Sequence, residues 1–156
     1  MRWIPGIVIL GGFLLPLAYF LFSARRNKKK FVRGKSPLSD EEFVNALGLD
    51  GITREIAVHV RRYIADHISV PKELLHPGDM MINIKACFWG DWNHDAVYRA
   101  IEDFWRGKGK EIRIHPKLMR RLYKVTCSIR NSKFSDYMHA IINEYEGYIE
   151  ENSEAG

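Results

Sequence analysis

Between Trp89 and Asp95 the chain sets an aromatic pair beside three ionisable groups, in the order Trp89, Gly90, Asp91, Trp92, Asn93, His94, Asp95. A histidine flanked by carboxylates has the makings of a general base or a metal ligand, because imidazole titrates near neutral pH. The same residues also suit the start of a helix, with Asn93 as cap and Asp95 favourably placed against the helix dipole. Trp89 and Trp92, with Phe88, fit either a loop folded over a small core or an aromatic surface for a protein partner. His59, His67, His76, His115 and His139 show neither H-E-x-x-H spacing nor clustering, so they form no metal set. Cys87 and Cys127 lack C-x-x-C spacing and read as small, partly buried side chains. Gly107-Lys108-Gly109-Lys110 lacks the Walker spacing, and neither a G-x-S-x-G elbow nor a kinase motif occurs. The expectation is a chain with no catalytic residue, no metal and no cofactor.

What must hold that turn begins with a very different segment. Trp3 to Phe22 is uncharged over 20 residues. As a helix rising 1.5 Å per residue it would reach about 30 Å, the hydrocarbon thickness of a bilayer. Trp3 and Tyr19 stand near its ends, where interfacial aromatics belong. A cleaved signal fits less well, since only Arg2 precedes the run and Phe22-Ser23-Ala24 is a poor cleavage site. Arg25, Arg26, Lys28, Lys29, Lys30, Arg33 and Lys35 follow directly. By the positive-inside rule this collar puts the C-terminal part in the cytoplasm, on the inner (plasma) membrane, as a single-pass protein. The collar is also expected to touch anionic headgroups, worth about 1 kcal/mol per basic residue.

The net charge of +5 belongs to that collar. From Ser36 onward 16 basic residues face 19 acidic ones, a net charge of −3, which removes a general footprint for nucleic acid. The 121 residues from Ser36 to Gly156 suffice for one modest domain.

Within it, Ser39-Asp40-Glu41-Glu42 has capping-box spacing and predicts a short helix to Leu47, ended by Gly48. Ile52, Ile56, Val60, Tyr63, Ile64 and Ile68 form the next stripe, with Arg54, Arg61, Arg62 and Asp66 off it. Pro71 and Pro77-Gly78 predict a long loop through Asn93, in which Met80 to Ile84 packs back onto the core. A further helix is expected from Asn93 or His94 to Trp105, and another after Pro116 with Leu118, Met119, Leu122 and Val125 inward. Phe134, Tyr137, Met138, Ile141, Ile142, Tyr145 and Ile149 make the clearest stripe, followed by an acidic frayed tail. The segment from Arg106 to Lys124 holds eight basic residues against Glu111 alone. It reads as a solvated face partly neutralised by the acidic last helix, or as a patch for acidic lipid or protein.

Ile64 through Val70-Pro71-Lys72-Glu73-Leu74-Leu75-His76-Pro77-Gly78-Asp79 resembles the first helix and loop of acyl carrier proteins. Trp89 to Val97, running into Ala100 to Phe104, resembles their second helix, and Lys133 to Ile141 their closing one. Carriers bear phosphopantetheine on a serine at the start of helix two, whereas no Ser or Thr stands between Cys87 and Val97 here. The chain therefore looks closest to a serine-less, carrier-like bacterial family of unknown function, which implies no prosthetic group. The expected fold is all-α: one transmembrane helix plus an acyl-carrier-like bundle of about four helices. The expected organisation is an anchor over 1–23, a basic juxtamembrane linker over 24–38, the bundle over 39–150 and a disordered tail over 151–156. The function this implies is a membrane-tethered, non-catalytic adaptor that binds a protein partner through Trp89, Asp91, Trp92, His94 and Asp95. The alternative is a membrane-associated enzyme or lipid-interacting protein using the Asp91, His94 and Asp95 turn.

Overall fold

The computed structural model describes residues 18–19, 21–87, 95–109, 118–121, 123–124 and 131–153. Among them every regular element is helical, and the nearest thing to a sheet is an isolated bridge between Met80 and Lys133. The all-α expectation holds. None of the described helices is long and apolar enough to cross a membrane, and the Trp3 to Phe22 span, apart from Ala18, Tyr19, Leu21 and Phe22, lies outside the described residues.

Helix α1 occupies 21–32, and residues 18 and 19 are helical too. Of the stretch expected as a linker over 24–38, residues 24–32 are helical. Ala24 is buried, and Phe31 and Val32 lie against the core. α2, Asp40–Leu47, forms as its capping box demands: Ser39 Oγ accepts from the Glu42 N–H, and Glu42 accepts from the Ser39 N–H at 2.8 Å. It ends at Gly48, whose φ of +66° lets its N–H reach the Asn45 and Val44 carbonyls.

α3, Gly51–Ile68, buries Ile56, Val60, Ile64 and Ile68, but Ile52 at the helix start is 41% exposed. One turn of 3-10 helix, Lys72–Leu74, follows. α4, Met81–Ala86, replaces part of the expected long loop. Six residues are too few for periodicity to reveal, yet Met81, Ile84 and Cys87 fall three apart and are all buried, so the segment does pack onto the core. α5, Asp95–Gly107, lays Val97, Ile101, Phe104 and Trp105 against the core and packs most extensively on α3. Residues 118–121 and 123–124 are helical and are named α6. Leu118 there is buried, and Tyr98 Oη donates to the Met119 carbonyl at 3.0 Å. Leu122 and Val125 lie outside the described residues.

α7, Phe134–Ser153, buries Phe134, Tyr137, Met138, Ile141, Ile142 and Tyr145, as the stripe predicts. It runs to Ser153, three residues into the stretch expected as tail. Each such side chain contributes roughly 1.5–3 kcal/mol of hydrophobic stabilisation. His139 Nε2 hydrogen-bonds the Leu47 carbonyl at 2.7 Å, closing the last helix onto the end of α2.

Candidate functional site

Arg61 lies fully buried on α3, although the apolar stripe leaves it out. Its Nε donates to the Leu75 carbonyl at 3.1 Å and its Nη2 to the Leu38 carbonyl at 2.9 Å. Its Nη1 reaches the Ser39 carbonyl at 3.2 Å and Asp40 Oδ1 at 2.9 Å. The guanidinium also sits 4.2 Å from the Phe43 ring centre. A buried cation is tolerated when its donors are all spent, and a planar fork spends them in several directions at once. Asp40 is shared with Lys72, which bonds its other oxygen. Burial works to raise the Asp40 carboxyl, but the hydrogen bonds and charges of Lys72 and Arg61 outweigh it and hold the pKa below the usual value. The spacing did carry a signal, since position 61 is four beyond Ala57 and three before Ile64, both buried.

A second cation holds the same loop at the neighbouring carbonyl. Lys35, one of the seven collar residues, turns inward and is 17% exposed. Its Nζ donates to the Leu74 carbonyl at 3.0 Å and to Asp79 Oδ1 at 2.5 Å, and lies 3.4 Å from the Phe31 ring centre. Burial lowers its pKa, with Asp79 acting in the opposite direction. Asp79 Oδ2 accepts the His76 N–H at 2.7 Å, and His76 Nε2 meets the Ser36 carbonyl at 2.9 Å. The Asp79 and Pro77 carbonyls accept the N–H groups of Phe134 and Ser135 at the start of α7, which such a terminus leaves without intrahelical partners. The turn at 76–80 is thus where α1, α4 and α7 meet.

The other collar residues divide by face. Arg25, Arg26, Lys29, Lys30 and Arg33 are exposed, and Lys28 is half-buried. Asn27 Nδ2 donates to the Ala86 carbonyl at 2.9 Å, fixing α1 to α4. Between the two helices opens a cleft of about 380 Å³ lined by Asn27, Lys30, Phe31, Lys35, Asp79, Asn83 and Ala86.

The aromatic and acidic turn expected to bind a partner lies outside the described residues: Trp89, Asp91, Trp92 and His94 wholly, and Asp95 except for its backbone, which opens α5. Cys127 lies outside them as well. Within the basic 106–124 segment, Lys108 pairs with Glu55 of α3 at 2.5 Å and Arg106 with Asp103 of α5 at 2.7 Å.

Neither Cys87 nor Tyr145 is primed as a nucleophile. Burial pushes the Cys87 thiol up to about 11 against the opposing charges of Lys28 and Lys35, and burial pushes Tyr145 to about 12. His59 packs edge-on to Phe104, and burial followed by the Arg62 charge lowers its pKa, with Asp103 opposing. Among the described residues no group of three or more His, Cys, Asp or Glu side chains could hold a metal ion. The arrangement can orient, fasten and present charge.

No protein-family model, no curated protein and no solved structure matches this chain.

Proposed function

We propose that the protein is a membrane-tethered, non-catalytic adaptor. Its apolar leading segment would anchor it in the plasma membrane, and its carrier-like helical body would meet a protein partner on the cytoplasmic face. The observation that carries this reading is α1. At one end it exposes Tyr19, Leu21 and Phe22, which are 70%, 44% and 70% exposed. Along its length it exposes Arg25, Arg26, Lys29 and Lys30, and at the other end Phe31 and the following Lys35 fasten it to the body. Apolar, then basic, then docked is the order a bilayer core, a headgroup layer and an aqueous domain require. A helix fixed this way would give the body a set orientation to the membrane, which a flexible tether would not. The partner surface remains assigned to Trp89, Asp91, Trp92, His94 and Asp95 on the sequence argument.

The test is fractionation of cells expressing the full chain. Retention in membranes after an alkaline carbonate wash, with a C-terminal tag digested only once the membrane is opened, supports the reading. Release by carbonate, or digestion of the tag in intact cells, overturns it. A photo-crosslinker at position 92 should capture one specific protein, and the yield should fall on Asp91→Ala or His94→Ala.

A further inference from the structure

The cleft between α1 and α4 holds more donors than its own residues use. Each Asp79 oxygen is engaged, Oδ1 by Lys35 and Oδ2 by the His76 N–H, and the Lys35 charge balances the carboxylate. Lys35 directs its remaining charge at the Phe31 ring. Lys30 has no ion pair with another described residue, and the Asn83 carboxamide has no hydrogen bond to one. Asn27 spends one amide N–H on the Ala86 carbonyl and keeps a second. An ammonium without an ion pair among the described residues and two carboxamides therefore line one concavity, with Phe31 as its apolar member. At about 380 Å³ the space falls in the range of small-molecule sites, which are concave and carry a few convergent polar groups.

We propose that this cleft binds a phosphate ester, with Lys30, Asn27 and Asn83 donating to the phosphate oxygens and Phe31 covering the organic part. A tetrahedral anion presents several acceptor oxygens in different directions, which suits three donor groups arriving from two helices. A carboxylate keeps its acceptor sites near one plane, which suits donors arriving from two helices less well. The ester has two possible sources, a lipid headgroup or a free metabolite. Lys30 stands about 12 Å along α1 from Phe22, so a lipid would reach the cleft only with α1 tilted toward the surface. The assignment is independent of the membrane reading, since either source fills the same donors.

The full chain in nanodiscs of zwitterionic lipid, with side-chain amides followed by NMR, provides the test. Glycerol phosphate and inorganic phosphate are titrated in, with acetate as the carboxylate comparison, and a parallel sample contains phosphatidylglycerol. Saturable shifts of the Asn27 and Asn83 amide signals are expected with glycerol phosphate, at least five-fold tighter than with acetate. Shifts seen only in the phosphatidylglycerol discs would also support the cleft and assign the lipid as its source. Lys30→Gln should weaken the response at least five-fold, whereas Arg33→Gln on the outer face should change it less than two-fold. Absence of saturation with every phosphate source, equal affinity for acetate, or equal loss in the two variants overturns the proposal. Because none of these signals depends on carbonate resistance, failure here and failure of the anchor are separately visible.

Discussion

Arg61 and Lys35 repeat one arrangement at two depths. Each cation lies over a phenylalanine ring, pairs with an aspartate, and takes a carbonyl from the same loop, Leu75 for Arg61 and Leu74 for Lys35. The deep version has no exposed surface and four hydrogen bonds, whereas the shallow one keeps 17% exposure and two. Depth changes what the arrangement is for. Arg61 is fully buried and so is its bond to the Leu75 carbonyl, so losing the cation leaves an interior acceptor without its donor at the corner of α2 and α3. The contact that holds the α1 arm is smaller, two hydrogen bonds from a cation that keeps 17% exposure, so its loss is expected to be felt in α1 rather than across the whole body.

The sharpest way to break this comparison is Arg61→Leu, expected to cost about 3 kcal/mol because three carbonyls lose their donor and Asp40 keeps only Lys72. Arg61→Lys should recover only part, a single ammonium being unable to reach all four acceptors. Urea denaturation of the full chain in mild detergent measures both, and a loss near 1 kcal/mol would put the two sites on the same footing. Lys35→Met should cost less, about 1–2 kcal/mol. Its signature is local, with faster hydrogen exchange at the amides of 24–32 and unchanged protection in α3. Equal acceleration in both helices would mean that α1 is not a separable unit.

Ser39→Ala, which removes the cap of α2 beside the Arg61 corner, should lower stability by about 1 kcal/mol. Acid should act in two stages. His59 has a folded pKa below its ordinary 6.5, so its contribution is present above 6.5 and falls away as pH drops below it. Asp40 is held below 3.8, so its contribution persists to that point and is lost as pH falls further. Denaturation midpoints across pH should show both declines, with the first flattened by His59→Gln. The smallest effect belongs to the exposed Arg106–Asp103 pair on α5, where Arg106→Ala should move stability by less than about 0.5 kcal/mol.

The elements legible in the sequence are those whose signal is local. The α2 capping box lies within four residues, and α7 carries six buried positions on one stripe, so pattern alone finds them. α4 was missed because a six-residue helix spans less than two turns and leans on a tertiary bond, from its Met81 N–H to the Ser132 carbonyl. α1 reads as linker because its body-facing side is Ala24, Asn27 and Phe31, too sparse among charges to suggest packing. Arg61 was set aside by residue type although its spacing is that of the core. The long-range part of Asp79 is not legible, since beyond its local bond from the His76 N–H its partners come from Lys35, 44 residues earlier, and from Phe134 of α7, more than 50 residues later.

That last span has a temporal meaning. Lys35 leaves the ribosome long before Phe134, whose N–H braces the turn bearing Asp79. At about 5–20 residues per second the interval is roughly 5–20 seconds. For that time the arm is a newborn helix without its completed socket, and whatever it meets first, surface or chaperone, has the field to itself.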